Sequence, residues 1–595
     1  MTRQILLAFA CATACWGADA EQVRDAIQRA VALMQKSQDV WYAKGTGCNS
    51  CHHQYQPAIA AQRLNAHLIQ NSLRGPAEDA DLDRAVQYNN VIEPAMDDAY
   101  RLVAQLANGR PPDLVQQVYA RLIAERQYPD GHWESFHQRP PQSYSRFTQT
   151  ALALRAIQMA SHPSQEADAK ARVEKAQEWL LSHQARDTEE RTYQLLGLSW
   201  SGAARSQVQR LGRELAATQQ SDGGWPSVDG RPSDAYSTGE ALVALRDASG
   251  VAASELGWRR GIEYLLRIQA ADGSWHVESR LHPPASVSPP YFDSGYPYGH
   301  DQFLSMTASS WAVMVLADTL PLANLHGDWI PSGSSSLEKL LFGTVADLKK
   351  LLDSGFDPNY ATAGGTTALM MAAPDVEKMK LLIDHGANVN ARAKSGYTAL
   401  MVACQYRDAD AAINFLLDRG AQVKPPEGQP APLFNAHPLF LAAYAGNATS
   451  LKRLKDAGDD INAPMDLIGT SRTTPLQGAV RFGDIPVAKA LLDLGSPVDQ
   501  LDGSAMTPLG RAVLGNQVEM AKFLIDRGAD VNHVDKLGMT PLLYAASIDF
   551  GDSAMIDLLL KSGARAGAKT KEGLTALDLA KKYNHTHLLE SLRKQ

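Results

Sequence analysis

A short motif recurs seven times in the C-terminal half, and no other feature of the 595-residue chain restricts its fold so strongly. It starts at Thr367-Ala368-Leu369. It returns as Thr398-Ala399-Leu400, His437-Pro438-Leu439, Thr474-Pro475-Leu476, Thr507-Pro508-Leu509, Thr540-Pro541-Leu542 and Thr575-Ala576-Leu577. Successive copies begin 31, 39, 37, 33, 33 and 35 residues apart. Threonine ahead of an Ala-rich run caps a helix, and proline fits the first helical turn because its missing N–H has no partner there in any case. A second helix follows in each unit, as at 378–384 and 518–526. A turn such as Gly386-Ala387-Asn388 or Gly528-Ala529-Asp530 then closes it, with glycine supplying the positive φ that ends the helix. A helical hairpin of this size cannot bury its apolar face alone, so such units stack.

The period and the motif resemble the ankyrin-repeat family over about residues 333–595. The resemblance implies a solenoid of helix pairs with short β-turn fingers and a concave face for a protein partner. Residues 336–355 read as a helix pair without the Thr-Pro-Leu start, which suits an N-terminal cap. Pro425-Pro426-Glu427-Gly428-Gln429-Pro430 is an insertion that lengthens one finger, and the polar end at 581–595 suits a C-terminal cap.

The N-terminal half is helical at a longer period. Gln127-Tyr-Pro-Asp-Gly-His-Trp133, Gln219-Gln-Ser-Asp-Gly-Gly-Trp225 and Gln269-Ala-Ala-Asp-Gly-Ser-Trp275 share one pattern. Asp-Gly makes a turn, glutamine satisfies backbone groups at a helix end, and tryptophan covers apolar surface between hairpins. Trp133 and Trp225 are 92 residues apart and Trp225 and Trp275 are 50 apart, so a degenerate copy near Gln184 would bisect the larger gap. The pattern resembles the QW motifs of the squalene cyclase and protein prenyltransferase superfamily over about residues 22–325. It implies an α/α toroid of six helix pairs; an open α-solenoid is the alternative. The expected organisation is a signal peptide at 1–20, the toroid at 21–330, a linker at 331–336 and the ankyrin array at 337–595. The fold class is all-α. The linker Pro331-Ser-Gly-Ser-Ser-Ser336 is short enough that the two domains should touch.

A chain of this length exceeds a single core. Its net charge of −8 lacks the basic footprint of a nucleic-acid binder. Arg3, the apolar run from Ile5 to Trp16 and Ala18-Asp19-Ala20 have the order of a cleavable secretory signal, with cleavage after Ala20 and an exported or periplasmic product. That run is too short to span a bilayer, and no later segment is apolar for long enough either. Cleavage removes Cys11 and Cys15 and leaves Cys48, Cys51 and Cys404, which is no disulfide framework.

Cys48-Asn-Ser-Cys51-His52 is the attachment pattern of a covalent haem c. Two thiols one short turn apart reach the two vinyl groups of one porphyrin, and the adjacent histidine offers an axial nitrogen to the iron. The export signal agrees, because bacterial families with this pattern attach haem outside the cytoplasm. A structural or redox disulfide and a zinc site are the alternatives. The first lacks a surrounding βαβ unit and the second lacks further ligands. His53 lies about 100° around a helix from His52 and cannot reach the opposite face of the iron, so it is expected as a supporting or surface residue. Met34, His67 and Met96 are candidates for a sixth ligand, with core packing the better reading for Met34.

The toroid resemblance also raises catalysis. The cyclases use an Asp-x-Asp-Asp acid, which is not found. Asp234 opens an inner helix with a single carboxylate, Asp79, Asp81 and Asp83 read as a solvated loop or helix start, and Asp97-Asp98 reads as helix surface. The prenyltransferase zinc set is not found either. Asp293, His300 and Asp301 are possible ligands, with capping of the last helix preferred for Asp301. The reading therefore leans away from an enzyme. It favours an exported haem c protein, redox or sensory, with a protein partner on the ankyrin array and a possible redox partner, without nucleic acid or an integral membrane segment. A non-catalytic scaffold and a terpenoid- or lipid-processing enzyme are the alternatives.

Overall fold

The computed structural model describes residues 19–44, 51–75, 81–87, 97–107, 109–134, 140–141, 143–251, 255–280, 293–322, 336–466, 472–548 and 551–593, with the backbone alone at Cys51 and His52. The expected signal segment up to Ala18, Cys48, Met96 and the linker up to Ser335 lie outside these residues.

Among the described residues, twelve α-helices of the N-terminal half alternate between two layers. They are α1 (Ala20–Lys44), α2 (Gln56–Ala66), α3 (Leu82–Gln87), α4 (Ala99–Leu106), α5 (Leu114–Glu125) and α6 (Arg146–Ala160). After these come α7 (Glu166–Ser182), α8 (Thr188–Trp200), α9 (Arg205–Ala217), α10 (Ala235–Asp247), α11 (Leu256–Ile268) and α12 (Gln302–Ala317). The even-numbered helices pack side by side in the order α2, α4, α6, α8, α10, α12, and α12 returns to α2, so the inner layer is a closed ring. The burial pattern explains the layering. In α10 and α12 almost every residue is buried, whereas α9 and α11 bury one stripe. Each inner helix returns through an outer one, so the inner helices run parallel and their N-termini share one mouth.

The glutamine–tryptophan motifs stitch the outer layer. Gln127 Nε2 donates to Gly131 O at 2.9 Å and to Arg172 O on the next outer helix at 2.8 Å. Gln219 does the same with Gly223 O and Gly257 O at 2.8 and 2.7 Å. Gln269 reaches Gly273 O at 3.0 Å and Ala26 O at 2.8 Å, which joins the end of the ring to its beginning. Each tryptophan indole donates to the carbonyl ten residues upstream: Trp133 to Ile123, Trp225 to Leu215 and Trp275 to Leu265, at 2.7–2.9 Å. Gly131 has φ +104° and sits where a Cβ would lie 2.3 Å from Lys175 O, so only glycine fits this approach. The gap near Gln184 holds the α7–α8 pair but not the same stitch. There Gln194 Nε2 donates to Leu180 O and His183 O instead.

The C-terminal half stacks helix pairs from the expected cap, α13 (Ser336–Phe342) and α14 (Val345–Asp353), to Leu589–Arg593. Thr367, Thr398, Thr474, Thr507, Thr540 and Thr575 each accept a backbone N–H three residues on, as the motif predicts. Neighbouring repeats share asparagine bridges. Asn390 Nδ2 donates to Gly420 O at 3.0 Å while its Oδ1 accepts from Gln422 N at 2.8 Å, and Asn532 repeats this with Gly563 and Arg565.

The domains meet along much of the array. Asp83 accepts from the hydroxyls of Thr362 and Thr366 and from the amides of Gly364 and Thr366 in the first finger. The solvated reading of Asp83 is therefore corrected. Arg121 donates to Ala373 O at 2.8 Å and Arg126 to Tyr444 O at 3.1 Å. Arg407 of the array lies over the Tyr128 ring at 3.9 Å, and His162 stacks on Phe342 at 4.5 Å.

Candidate functional site

The mouth of the ring is a polar network built from the first turns of the inner helices. Asp187 caps α8, accepting from Glu190 N at 3.0 Å, and Asp234 caps α10, accepting from Ser237 N at 2.8 Å. Capping fixes the next residues inward. Glu189 accepts from Thr148 of α6 at 2.8 Å on one carboxylate oxygen and from the Tyr236 hydroxyl of α10 at 2.9 Å on the other. Tyr100 of α4 donates to Gln56 of α2 at 2.5 Å and lies 3.3 Å from the Tyr193 hydroxyl of α8. Five inner helices are thus tied across the axis.

Glu240, one turn after Tyr236, is fully buried, and neither of its oxygens meets a hydrogen-bond donor among the described residues. Within hydrogen-bonding reach lies the Glu189 carboxylate. Burial and the facing carboxylate push Glu240 well above the usual carboxyl range, and burial raises Glu189 to about 7. Burial also lifts Asp234 to about 6. Arg280 reaches Asp187 at 3.3 Å and Arg186 reaches Glu190 at 3.1 Å. The Tyr144 hydroxyl donates to the same carboxylate oxygen.

Asp187 faces outward as well. With Tyr144, Arg186 and Arg280 it lines a cavity of about 350 Å³ whose far wall is Gly551–Ser553 and His587 of the array. A neighbouring cavity of about 390 Å³ shares Tyr144 and Arg186 and is walled by residues such as Gly483 and Gln517. The mouth of the ring therefore opens into the seam between the domains.

The described end of the haem-type motif leads into α2 at the same mouth. Cys51 and His52 belong to a one-turn helical segment, Cys51–Tyr55, that runs directly into α2. Its backbone is anchored, since Gln38 Nε2 donates to His53 O at 2.6 Å. His53 is not a surface residue. It is fully buried, 3.0 Å from Ser37 Oγ, and stacked on Trp41 at 4.7 Å. Met34 lies in the core, as its helix face implies. His67 is engaged at the ring closure, with Nδ1 3.1 Å from Pro321 O and Nε2 3.4 Å from Asp318.

Other acidic candidates also differ from expectation. Asp98 is buried and paired with Arg101 at 3.2 Å, not on a helix surface. Asp301 does not cap α12. It accepts from Ser279 N and sits 2.9 Å from His276 Nε2. No cluster of three or more His, Cys, Asp or Glu that could hold a metal occurs among the described residues. Glu189 and Glu240 were missed because a strict Asp-x-Asp-Asp was sought. Asp187-Thr188-Glu189-Glu190 is the longer-armed version of that pattern at the mouth of an inner helix, and it was the available signal.

Residues 340–426 and 439–535 match ankyrin repeats (three copies), and residues 524–580 match ankyrin repeats (many copies). The C-terminal part is built of ankyrin repeats. Such arrays point to protein partners. The chain is also similar to the human ASB11 ankyrin repeat domain, 28% identical over 37% of this chain and 92% of that one, with a TM-score of 0.32. A drimenyl diphosphate synthase of Streptomyces showdoensis is 29% identical over 210 residues, 32% of this chain and 37% of that enzyme. The chain thus spans little more than a third of that relative's length. No helix among the described residues is long and apolar enough to cross a membrane.

Proposed function

We propose that this chain is an exported haem c protein, redox or sensory, whose haem is carried at the mouth of a helical toroid that is braced by a protein-binding ankyrin array. The observation that carries the reading is Cys48-x-x-Cys51-His52, with its second half in a helical turn leading into α2. The donor set suits the group: two thiols for thioethers and one imidazole for the iron. Haem bound there supplies one-electron or gas-binding chemistry. The protein's own share is to hold the segment still, through Gln38 on the His53 carbonyl and the buried His53 ring against Trp41. Cys48, Cys51 and His52 are the proposed cofactor residues, with a redox or sensory partner reached through the exposed parts of the array.

The test is expression through an export pathway in cells equipped for haem attachment. A c-type pyridine haemochrome and a mass increase of one haem are expected, both lost in Cys51→Ala. A mature chain with only the polypeptide mass overturns the reading.

A second reading is favoured by Glu189 and Glu240. A carboxyl pair kept partly protonated at the mouth of an inner helix suits acid chemistry on an unsaturated, lipid-like substrate, and the partial likeness to drimenyl diphosphate synthase points the same way. Against it stands the polar character of the ring at this level, where Tyr100, Tyr193 and Tyr236 are buried and hydrogen-bonded. Turnover of polyprenyl diphosphates that is lost in Glu189→Gln would support this reading. No turnover with any chain length would exclude it.

A further inference from the structure

We propose that Glu189 and Glu240 form a one-proton site on the axis of the ring, with Glu240 carrying the proton, and that the site exchanges this proton with the solvent of the interdomain cleft past Asp187. The assignment follows from counting donors. Both oxygens of Glu189 already accept hydroxyl hydrogens, from Thr148 and Tyr236. Neither oxygen of Glu240 has a donor, and both are fully buried. Two ionised carboxylates at this separation repel without compensation in a low dielectric. One proton on Glu240 turns the repulsion into an O–H···O bond to Glu189, with Glu240 as donor.

Among the described residues no cation pairs with Glu189 or Glu240, and Arg186 is taken up by Glu190 at 3.1 Å. On α8 the neighbours are Asp187, Glu190 and Tyr193, and on α10 they are Asp234 and Tyr236. Helix α12 carries no charged residue, and α6, α4 and α2 present Thr148, Tyr100 and Gln56. Arg280 is held by Asp187. The charged residues of α9 are exposed on its outer side, and Arg260 of α11 is spent on the Gln220 and Ser221 carbonyls. The negative charges of Asp187 and Asp234 hold the proton in place.

The route follows from Asp187. Its charge acts on both carboxyls, and its side chain lines the 350 Å³ cavity against the array. The ankyrin domain would then control access to the site by forming the outer wall of that cleft. The inference deepens the second reading above, yet it stands without turnover, since a proton site needs no substrate.

Infrared difference spectroscopy on the full chain across neutral pH reads the protonated carboxyl directly. The wild type is expected to show a protonated-carboxyl C=O stretch at pH 7 that shifts in D₂O. Glu240→Gln should abolish it, and Asp187→Asn should keep it while slowing its hydrogen–deuterium exchange. Circular dichroism checks folding, and if Glu240→Gln does not fold, Tyr236→Phe provides a second reading by shifting the band. A wild-type spectrum without such a band overturns the proposal. So does a band that neither Glu240→Gln nor Tyr236→Phe alters. An exchange rate unchanged in Asp187→Asn overturns the route. Absence of the band from the wild type also removes the acid-chemistry reading, whereas failure of a turnover assay leaves the proton site intact.

Discussion

The two halves of this chain solve one problem with one device and arrive at different shapes. Each stacks helical hairpins, and each joins neighbours through a side-chain amide that bonds across the repeat boundary. In the toroid it is a glutamine, as in Gln127 to Arg172 O. In the array it is an asparagine, as in Asn390 to Gly420 O. In the toroid the last of these bonds, Gln269 to Ala26 O, meets the first helix and closes a ring. The array stays open. Closure creates an inside, and the inside can hold Glu240 with no donor, a state that an open stack would relieve by hydration. In the array, exposed pairs such as Lys452–Asp456, Lys489–Asp493 and Lys522–Asp526 sit in water and contribute little each.

The hardest blow to this comparison should come from the closing stitch. Trp275→Ala empties a fully buried site at the junction of α11 and α12 and should cost about 3–5 kcal/mol in chemical denaturation. The toroid's transition should move while the array's stays. An equal shift of both would mean that the halves unfold as one unit. Next is the clamp between them. Asp83→Ala leaves two hydroxyls and two amides of the first finger without their acceptor and should cost about 1–3 kcal/mol. Hydrogen bonding holds the Asp83 carboxyl below its ordinary range. Its contribution is therefore present above the unfolded value of about 4 and is lost as pH falls through the depressed folded one. A single melting transition, unaltered in the variant, would show that the clamp does not couple the domains.

Glu240→Gln should act in the opposite direction. Glu240 is raised in the folded chain, so folded protein holds a proton that unfolded protein releases above about pH 4.5. Wild-type stability falls as pH rises through that window, and the glutamine variant, which does not titrate, should gain on it with rising pH. A stability difference independent of pH would exclude a retained proton. The smallest effect belongs to a local cap. Thr507→Ala removes an acceptor 3.1 Å from Gly510 N and should cost about 1 kcal/mol, confined to the array.

Much of this architecture was legible from residues that act locally. The threonine caps, the glycines after second helices and the Asp-Gly turns of the three glutamine–tryptophan motifs depend on bonds within a few positions, and they sit where the spacing put them. The α7–α8 junction was less legible, because Gln194 supplies its bonds from inside the inner helix rather than from a turn. Asp83 does open a helix, but its solvated reading failed because its partners lie on a finger some 280 residues away. Asp98 has its partner Arg101 only three residues on, and it is tertiary packing that buries the pair. Of the two expectations for His53 the surface one failed, because adjacency to His52 says nothing about which neighbour packs against it.

The amino-acid order alone determined that two kinds of helical hairpin would stack, where three glutamine–tryptophan stitches would fall, and that a haem-type motif would stand near the start of the ring. Those features rest on periodicity and on caps that need only nearby atoms. Only the tertiary structure decided that α12 meets α2, that the mouth of the ring opens against the array, and that Glu189 and Glu240 face each other across two inner helices. The reason is physical. A carboxyl's protonation depends on which donors, charges and solvent surround it, and here those come from helices that only ring closure brings together.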